Sequence, residues 1–145
     1  MIVNAENLIL GRMASFVVKK ALLGEKIDIV NCEKAIVTGT KKDIFGRYRR
    51  QSERGGPFKG PFLPKMSDRF VRRSIRGMLD YKNERGKEAF KRIMCYTSIP
   101  DEFKDKKMET IKEADISRIK TLKYVSVADI CKFLKGAKND WKENC

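Results

Sequence analysis

Residues 2–31 read IVNAENLILGRMASFVVKKALLGEKIDIVN, and this stretch decides the fold. Ile2 and Val3 begin a short strand. From Arg12 to Leu23, Met13, Phe16, Val17, Lys20 and Ala21 recur at helical spacing. Lys19 and Lys20 fall in the last turn, where cations meet the negative end of the helix dipole, and Gly24 stands at the C′ position. Lys26 to Asn31 then alternates as a strand does, and Ala35-Ile36-Val37 is a second short β-prone run ending at Thr38-Gly39. Strand, helix, strand at this spacing implies a right-handed parallel unit, and with it the α/β class.

Beyond this unit the chain turns basic. Thr40-Lys41-Lys42-Asp43 has capping-box spacing and opens a helix with Ile44, Phe45 and Tyr48 on one face and Arg47, Arg50 and Arg54 on another. Gly46 inside it costs about 1 kcal/mol relative to Ala, so this helix depends on packing. The run from Gly55 to Pro64 repeats Gly-Pro-Phe around Lys59 and cannot continue a helix; it is a candidate for ordering on binding. Ser67 is expected to cap the next helix, whose Arg69, Arg72, Arg73 and Arg76 fall at i, i+3, i+4 and i+7, with Val71, Ile75 and Met78 on the other side.

Glu84 to Arg92 is a further helix, with Ala89 and Phe90 as its apolar contacts, and it leads into Ile93 to Thr97 as the last expected strand. Residues 101–120 hold twelve charged side chains, six of each sign, with little periodicity, and read as an exposed arm. Ser126-Val127-Ala128-Asp129 again has capping-box spacing; Val127, Ile130, Cys131 and Leu134 form the stripe of a helix that Gly136 closes, and Trp141 lies in the tail.

The 145 residues fit one domain, and 41% of them are apolar, enough for a real core. The net charge of +14 is concentrated: residues 41–76 carry +9, with eight arginines to four lysines. Such an excess speaks about partners and points to a polyanion. Arginine makes planar, bidentate phosphate contacts and stacks on bases, and Phe45, Tyr48, Phe58 and Phe62 are interleaved with it, which favours nucleic acid over a merely solvated face. A Gly/Pro loop between two basic helices suits irregular RNA better than the major groove of duplex DNA. Phe58 and Phe62 are free to stack on bases or to pack against their own domain or a neighbouring protein, with packing the favoured expectation. The candidate RNA-binding residues are Arg12, Lys41, Lys42, Arg47, Arg49, Arg50, Arg54, Lys59, Lys65, Arg69, Arg72, Arg73 and Arg76.

Much chemistry is excluded. The absence of histidine removes Ser-His-Asp and Cys-His catalysis and every imidazole zinc site. Cys32, Cys95, Cys131 and Cys145 form no C-x-x-C pair and read as free thiols, mostly buried. Neither G-x-G-x-x-G nor G-x-x-x-x-G-K-[ST] occurs, although Leu10-Gly11-Arg12 sits between strand and helix, either as a phosphate contact or as a plain turn. The N-terminus lacks the character of a secretory signal and no apolar run approaches membrane-spanning length, so a cytoplasmic protein with reduced thiols is expected. The alternative, an RNA- or nucleotide-processing enzyme on a doubly wound sheet, would draw on Asp28, Glu33 or Asp43 with a divalent metal. A membrane-surface binder lacks the hydrophobic basic helix it would need.

Four segments in order, Asn4-Ala5-Glu6, Leu10 to Ser15, Ile29 to Gly39 and Val71 to Leu79, closely resemble the thirteenth universal protein family of the large ribosomal subunit, in its archaeal or eukaryotic form. The resemblance covers nearly all of residues 1–100. It implies a three-layer α/β/α core around a small, mostly parallel sheet of about four strands, plus a basic loop-helix insertion and a C-terminal helical extension. It also implies a seat on large-subunit ribosomal RNA beside other subunit proteins and a part in early assembly. No catalysis, cofactor, metal, small-molecule substrate or membrane is implied. The family's basic positions match at Arg12, Lys41, Lys42 and the arginine helix through Arg76. One departure is Asp80, where the family commonly has proline, which puts the rigidity of that turn in question.

Overall fold

A computed structural model describes residues 1–56, 58–119 and 121–136. Trp141 and Cys145 lie outside the described residues. Strand β1 (Ile2–Asn4), helix α1 (Leu10–Leu22) and strand β2 (Ile27–Val30) form the expected parallel unit, with Val3 opposite Ile29. Gly24 at the end of α1 has φ +101°, a left-handed conformation that terminates the helix as its position foretold. Strand β3 (Ile36–Thr38) leaves the sheet. Helices α2 (Lys41–Ser52), α3 (Ser67–Met78) and α4 (Glu84–Lys91) follow, and β4 (Ile93–Cys95) returns parallel to β2 on its far side.

The three parallel strands run in the order β1-β2-β4. Val3, Ile27, Ile29, Ile93 and Cys95 are buried on one face, while Ile2, Asp28 and Met94 on the other are half-buried. A fourth edge comes from a segment expected to be a free arm. Glu109 pairs parallel with Val3: the Asn4 N–H donates to the Glu109 carbonyl at 3.0 Å and the Glu109 N–H to that of Ile2 at 2.8 Å. Phe103, Ile111 and Ala114 are buried, and Ala114 and Ile116 bond to Ile9 and Asn7 beyond β1, so residues 109–116 are docked on the core and the exposed-arm reading is corrected. Composition could not show this, because three isolated apolar side chains among twelve charges carry no period.

The last strand is not β4 but β5 (Tyr124–Ser126), antiparallel to β3 with Val37 opposite Val125. Helix α5 (Val127–Lys135) starts at once from Ser126, whose Oγ accepts the Asp129 N–H at 3.1 Å, and Val127, Ile130, Cys131 and Leu134 are buried as the stripe required. The Phe45 and Phe133 rings stack at 4.5 Å and dock α2 on α5; Tyr48 meets Phe70 edge-on at 5.0 Å and docks α2 on α3.

The ends of β1 and β2 are joined by buried side-chain bonds. Asn31, in left-handed conformation with φ +56°, donates from Nδ2 to Asn4 Oδ1 at 3.0 Å, and the same oxygen accepts the Glu6 N–H at 3.1 Å. Lys34 pairs with Glu6 at 2.9 Å, which holds the Glu6 carboxyl below its usual pKa. Cys32, Cys95 and Cys131 are buried free thiols. A hydrogen bond with Cys95 and then burial push the Cys32 thiol far up; burial raises that of Cys131. Among the described residues no helix is long and apolar enough to cross a membrane.

Candidate nucleic-acid interface

The helix most distinct in its two faces is α3. Phe70, Val71 and Ile75 are buried against the core, while Arg69 and Arg76 are exposed and Arg72 and Arg73 half-buried. Two expectations change. Met66, not Ser67, occupies the N-cap and makes no side-chain cap bond, because Ser67 already has helical geometry as the first residue. Met78 is 47% exposed, since it lies at the last turn, where the helix runs beyond the core, and only Ser15 Oγ of α1 approaches its sulfur, at 3.8 Å.

The four α3 arginines share a cavity of about 230 Å³ with Phe90 of α4 and with Phe62 and Pro64 of the preceding loop. Each is placed by a local contact. The Arg72 guanidinium lies 4.6 Å from the Phe90 ring centroid and that of Arg76 lies 5.1 Å from Tyr81. Arg73 donates from Nη1 to the Phe62 carbonyl at 2.9 Å, which ties loop to helix. None of the ion pairs among the described residues involves these arginines, and the Arg72 Nε is buried without a hydrogen-bond partner. Asp68 lies one turn before Arg72, with a buried oxygen that has no hydrogen-bond partner, but it forms no ion pair with these arginines, and four cations to one carboxylate on one helix make a strong anion field.

The α2 cations form a second row. Thr40 Oγ1 accepts the Asp43 N–H at 3.3 Å and donates to the Asp43 carboxylate, which makes Thr40 the N-cap, and Lys41, Lys42, Arg47, Arg49 and Arg50 are exposed, as is Arg54 just past the helix. Arg49 is partly neutralised by Glu53 at 2.9 Å, and Arg50 donates to the Gly46 carbonyl at 3.3 Å. Phe45 and Tyr48 turn inward, and burial raises the Tyr48 phenol above its ordinary pKa. Two of the four interleaved aromatics are therefore core.

The other two are presented outward. Phe58 is 94% and Phe62 71% exposed, so packing against their own domain is not their role. The loop that carries them closes at a narrow neck: a Cβ on Gly55, which has φ +80°, would stand 1.9 Å from the Gly60 carbonyl oxygen. Lys59 and Lys65 are exposed on either side of its second half. Arg12 is exposed on the first turn of α1 and is not brought into the α3 cavity. Sequence reasoning missed Phe90 and Tyr81 as aromatic platforms; nothing local marks them, because α4 and its approach acquire that role only by packing beside α3.

The acids of the enzyme alternative have structural tasks. Glu33 accepts the Ser98 N–H at 3.0 Å, Asp43 completes the α2 cap, and Asp28 sits in the central strand. No cluster able to hold a metal occurs among the described residues. The Asp80 turn survives without proline: its carbonyl accepts the Asn83 N–H at 3.2 Å and its carboxylate the Asn83 amide.

A sequence model of the family described as Ribosomal protein L13 matches residues 1–102. Among curated relatives, the large ribosomal subunit protein uL13 of Archaeoglobus fulgidus is 38% identical over 92% of this chain and 86% of its own. That of Methanopyrus kandleri is 44% identical over 89% and 82%. That of Methanococcus maripaludis is 46% identical over 94% and 98%. These relatives are archaeal, one of the two forms, archaeal or eukaryotic, that the resemblance left open, and they carry the likeness past the family match into the C-terminal segment. A fold organised around a basic helix face and a match over most of its length to proteins of one kind place the chain in a structural family, not an enzymatic one: it belongs to the ribosomal protein L13 family.

Proposed function

We propose that this protein is a structural constituent of the large ribosomal subunit, seated on its ribosomal RNA by the basic faces of α2 and α3, beside other subunit proteins, and active in early subunit assembly. The α3 arginine face carries the reading: four arginines lie together without an acidic partner among the described residues, a charge arrangement that an RNA backbone would neutralise. The names of the relatives supply the subunit.

Sedimentation of a cell extract through a sucrose gradient tests the seat. The protein is expected with large subunits, retained through a moderate-salt wash; a peak at the top of the gradient overturns the proposal. The interface is tested by the double variant Arg69→Ala/Arg76→Ala, chosen because both side chains are exposed and neither supports the core. Loss of two phosphate contacts should reduce the slope of log affinity against log salt by about 1.5. An unchanged slope would remove α3 from the interface.

A further inference from the structure

We propose that the cavity between α3, Phe90 and Phe62 takes a single unpaired nucleotide of RNA, its base stacked on the Arg72–Phe90 pair and beside Phe62, its phosphate on Arg69, Arg73 and Arg76. This rests on the RNA-binding reading above and goes beyond it by naming the RNA feature recognised. A face that only tracked a backbone would need charge alone. This one also has flat aromatic surfaces along an open groove. The cavity, about 230 Å³, is several times the ~30 Å³ share of one water in the liquid, so it accommodates a ring and not only an ion.

Its walls match the two halves of a nucleotide. Arg72 is already laid 4.6 Å from the Phe90 ring centroid, and both line the cavity, so the planar guanidinium is fixed before any ligand arrives. RNA-binding proteins stack unpaired bases on arginine planes and aromatic rings. Phe62, 71% exposed, is a second aromatic whose position is set through its own carbonyl by Arg73. An exposed aromatic ring held in place at the rim of a cationic cavity offers its flat face to an unstacked base. A regular helix cannot supply that, because its bases are stacked inside; a bulge or loop can.

The full-length protein would be titrated with three RNA hairpins of equal length: fully paired, with a one-nucleotide bulge, and with an abasic residue at the bulge. The base-bearing bulge should bind about tenfold tighter than the other two, the worth of one stacked base. Phe62→Ala and Arg72→Lys should each erase most of that preference, the lysine because it keeps the charge but not the plane. Equal affinity for the bulged and abasic hairpins overturns the nucleotide pocket while leaving the basic interface standing. Failure of all three RNAs to bind overturns the interface itself. Adenosine monophosphate, as competitor, should displace the bulged RNA only weakly; a free nucleotide that binds as tightly as the bulge would overturn RNA as the occupant.

Discussion

Gly86 shows how much one side chain can matter here. It lies within α4, where a glycine ordinarily costs helix stability, yet a Cβ there would stand 1.9 Å from the Asp80 carbonyl oxygen. The gain in helix propensity from Gly86→Ala is therefore smaller than the cost of pushing α4 off the Asp80 turn. The variant should lose about 1–3 kcal/mol, read from the urea midpoint, and the loss should reach RNA binding, because α4 carries Phe90. The buried thiols give a second expectation at this scale. Cys32 and Cys131 hold their protons more tightly folded than unfolded. Their contribution to stability is complete below the unfolded thiol value of about 8.5 and declines as pH rises above it, since only the unfolded chain ionises there. Urea midpoints measured from pH 7 to pH 10 should fall across the upper half of that range, and peptide-resolved alkylation should find Cys32, Cys95 and Cys131 unreactive until the chain unfolds. Sequence alone identified these thiols as free and buried, but not that two of them meet. That depends on the β2–β4 register, which sets Ile29 opposite Cys95 three residues before Cys32.

At the scale of elements, α2 is the one most dependent on its ends. Gly46 weakens its middle and Arg47, Arg49 and Arg50 crowd its last turns, so the Thr40 cap and the Phe45 and Tyr48 contacts hold it. Thr40→Ala leaves the Asp43 N–H without its acceptor and should cost about 1 kcal/mol. Faster amide exchange confined to α2 is the expected signature; protection unchanged there would show the cap to be dispensable. Elements with this kind of signature were legible from sequence: α1, α2 and α5 announced themselves by periodic apolar stripes and by capping or glycine stops, and the parallel β1-α1-β2 unit followed. Elements without one were not. Strand β5 is three residues long and lies beside a highly charged stretch, so only its pairing with β3 makes it a strand. The α3 start differed by one residue for a similar reason: serine is a good cap, but here the chain enters the helix at Met66 and the first-turn geometry takes Ser67.

Over the whole molecule, charge placement was the most legible feature, because net charge in a segment is counted without knowing its conformation; the cluster on α3 and α2 is the consequence of residues 41–76 holding most of the excess. The cavity among those charges was not legible, since Phe62 and Phe90 are twenty-eight positions apart and come together only through the packing of α4. The same holds for the C-terminal third. The family match ends at residue 102, and the composition beyond it reads as appendage, yet the core does not stop there. Glu109 pairs with the β1 edge, Ile9 donates its N–H to the Ala114 carbonyl at 2.7 Å, and β5 is the partner that β3 has. Phe103, Ile111, Val125, Val127, Ile130 and Leu134 are all buried. At about 1.5–3 kcal/mol for each such side chain, burying these six contributes roughly 9–18 kcal/mol. The entropy of ordering the segment offsets much of that gain, but its removal also uncovers the apolar surface of β1 and β3 that it covers, and a net stability of only about 5–15 kcal/mol leaves little margin for that exposure. A chain cut after residue 102 should therefore show no cooperative thermal transition by circular dichroism, whereas the full chain should melt sharply. A sharp transition in the shorter chain would mean that residues 1–102 fold as a unit, and that the C-terminal third is laid on a finished core instead of completing it.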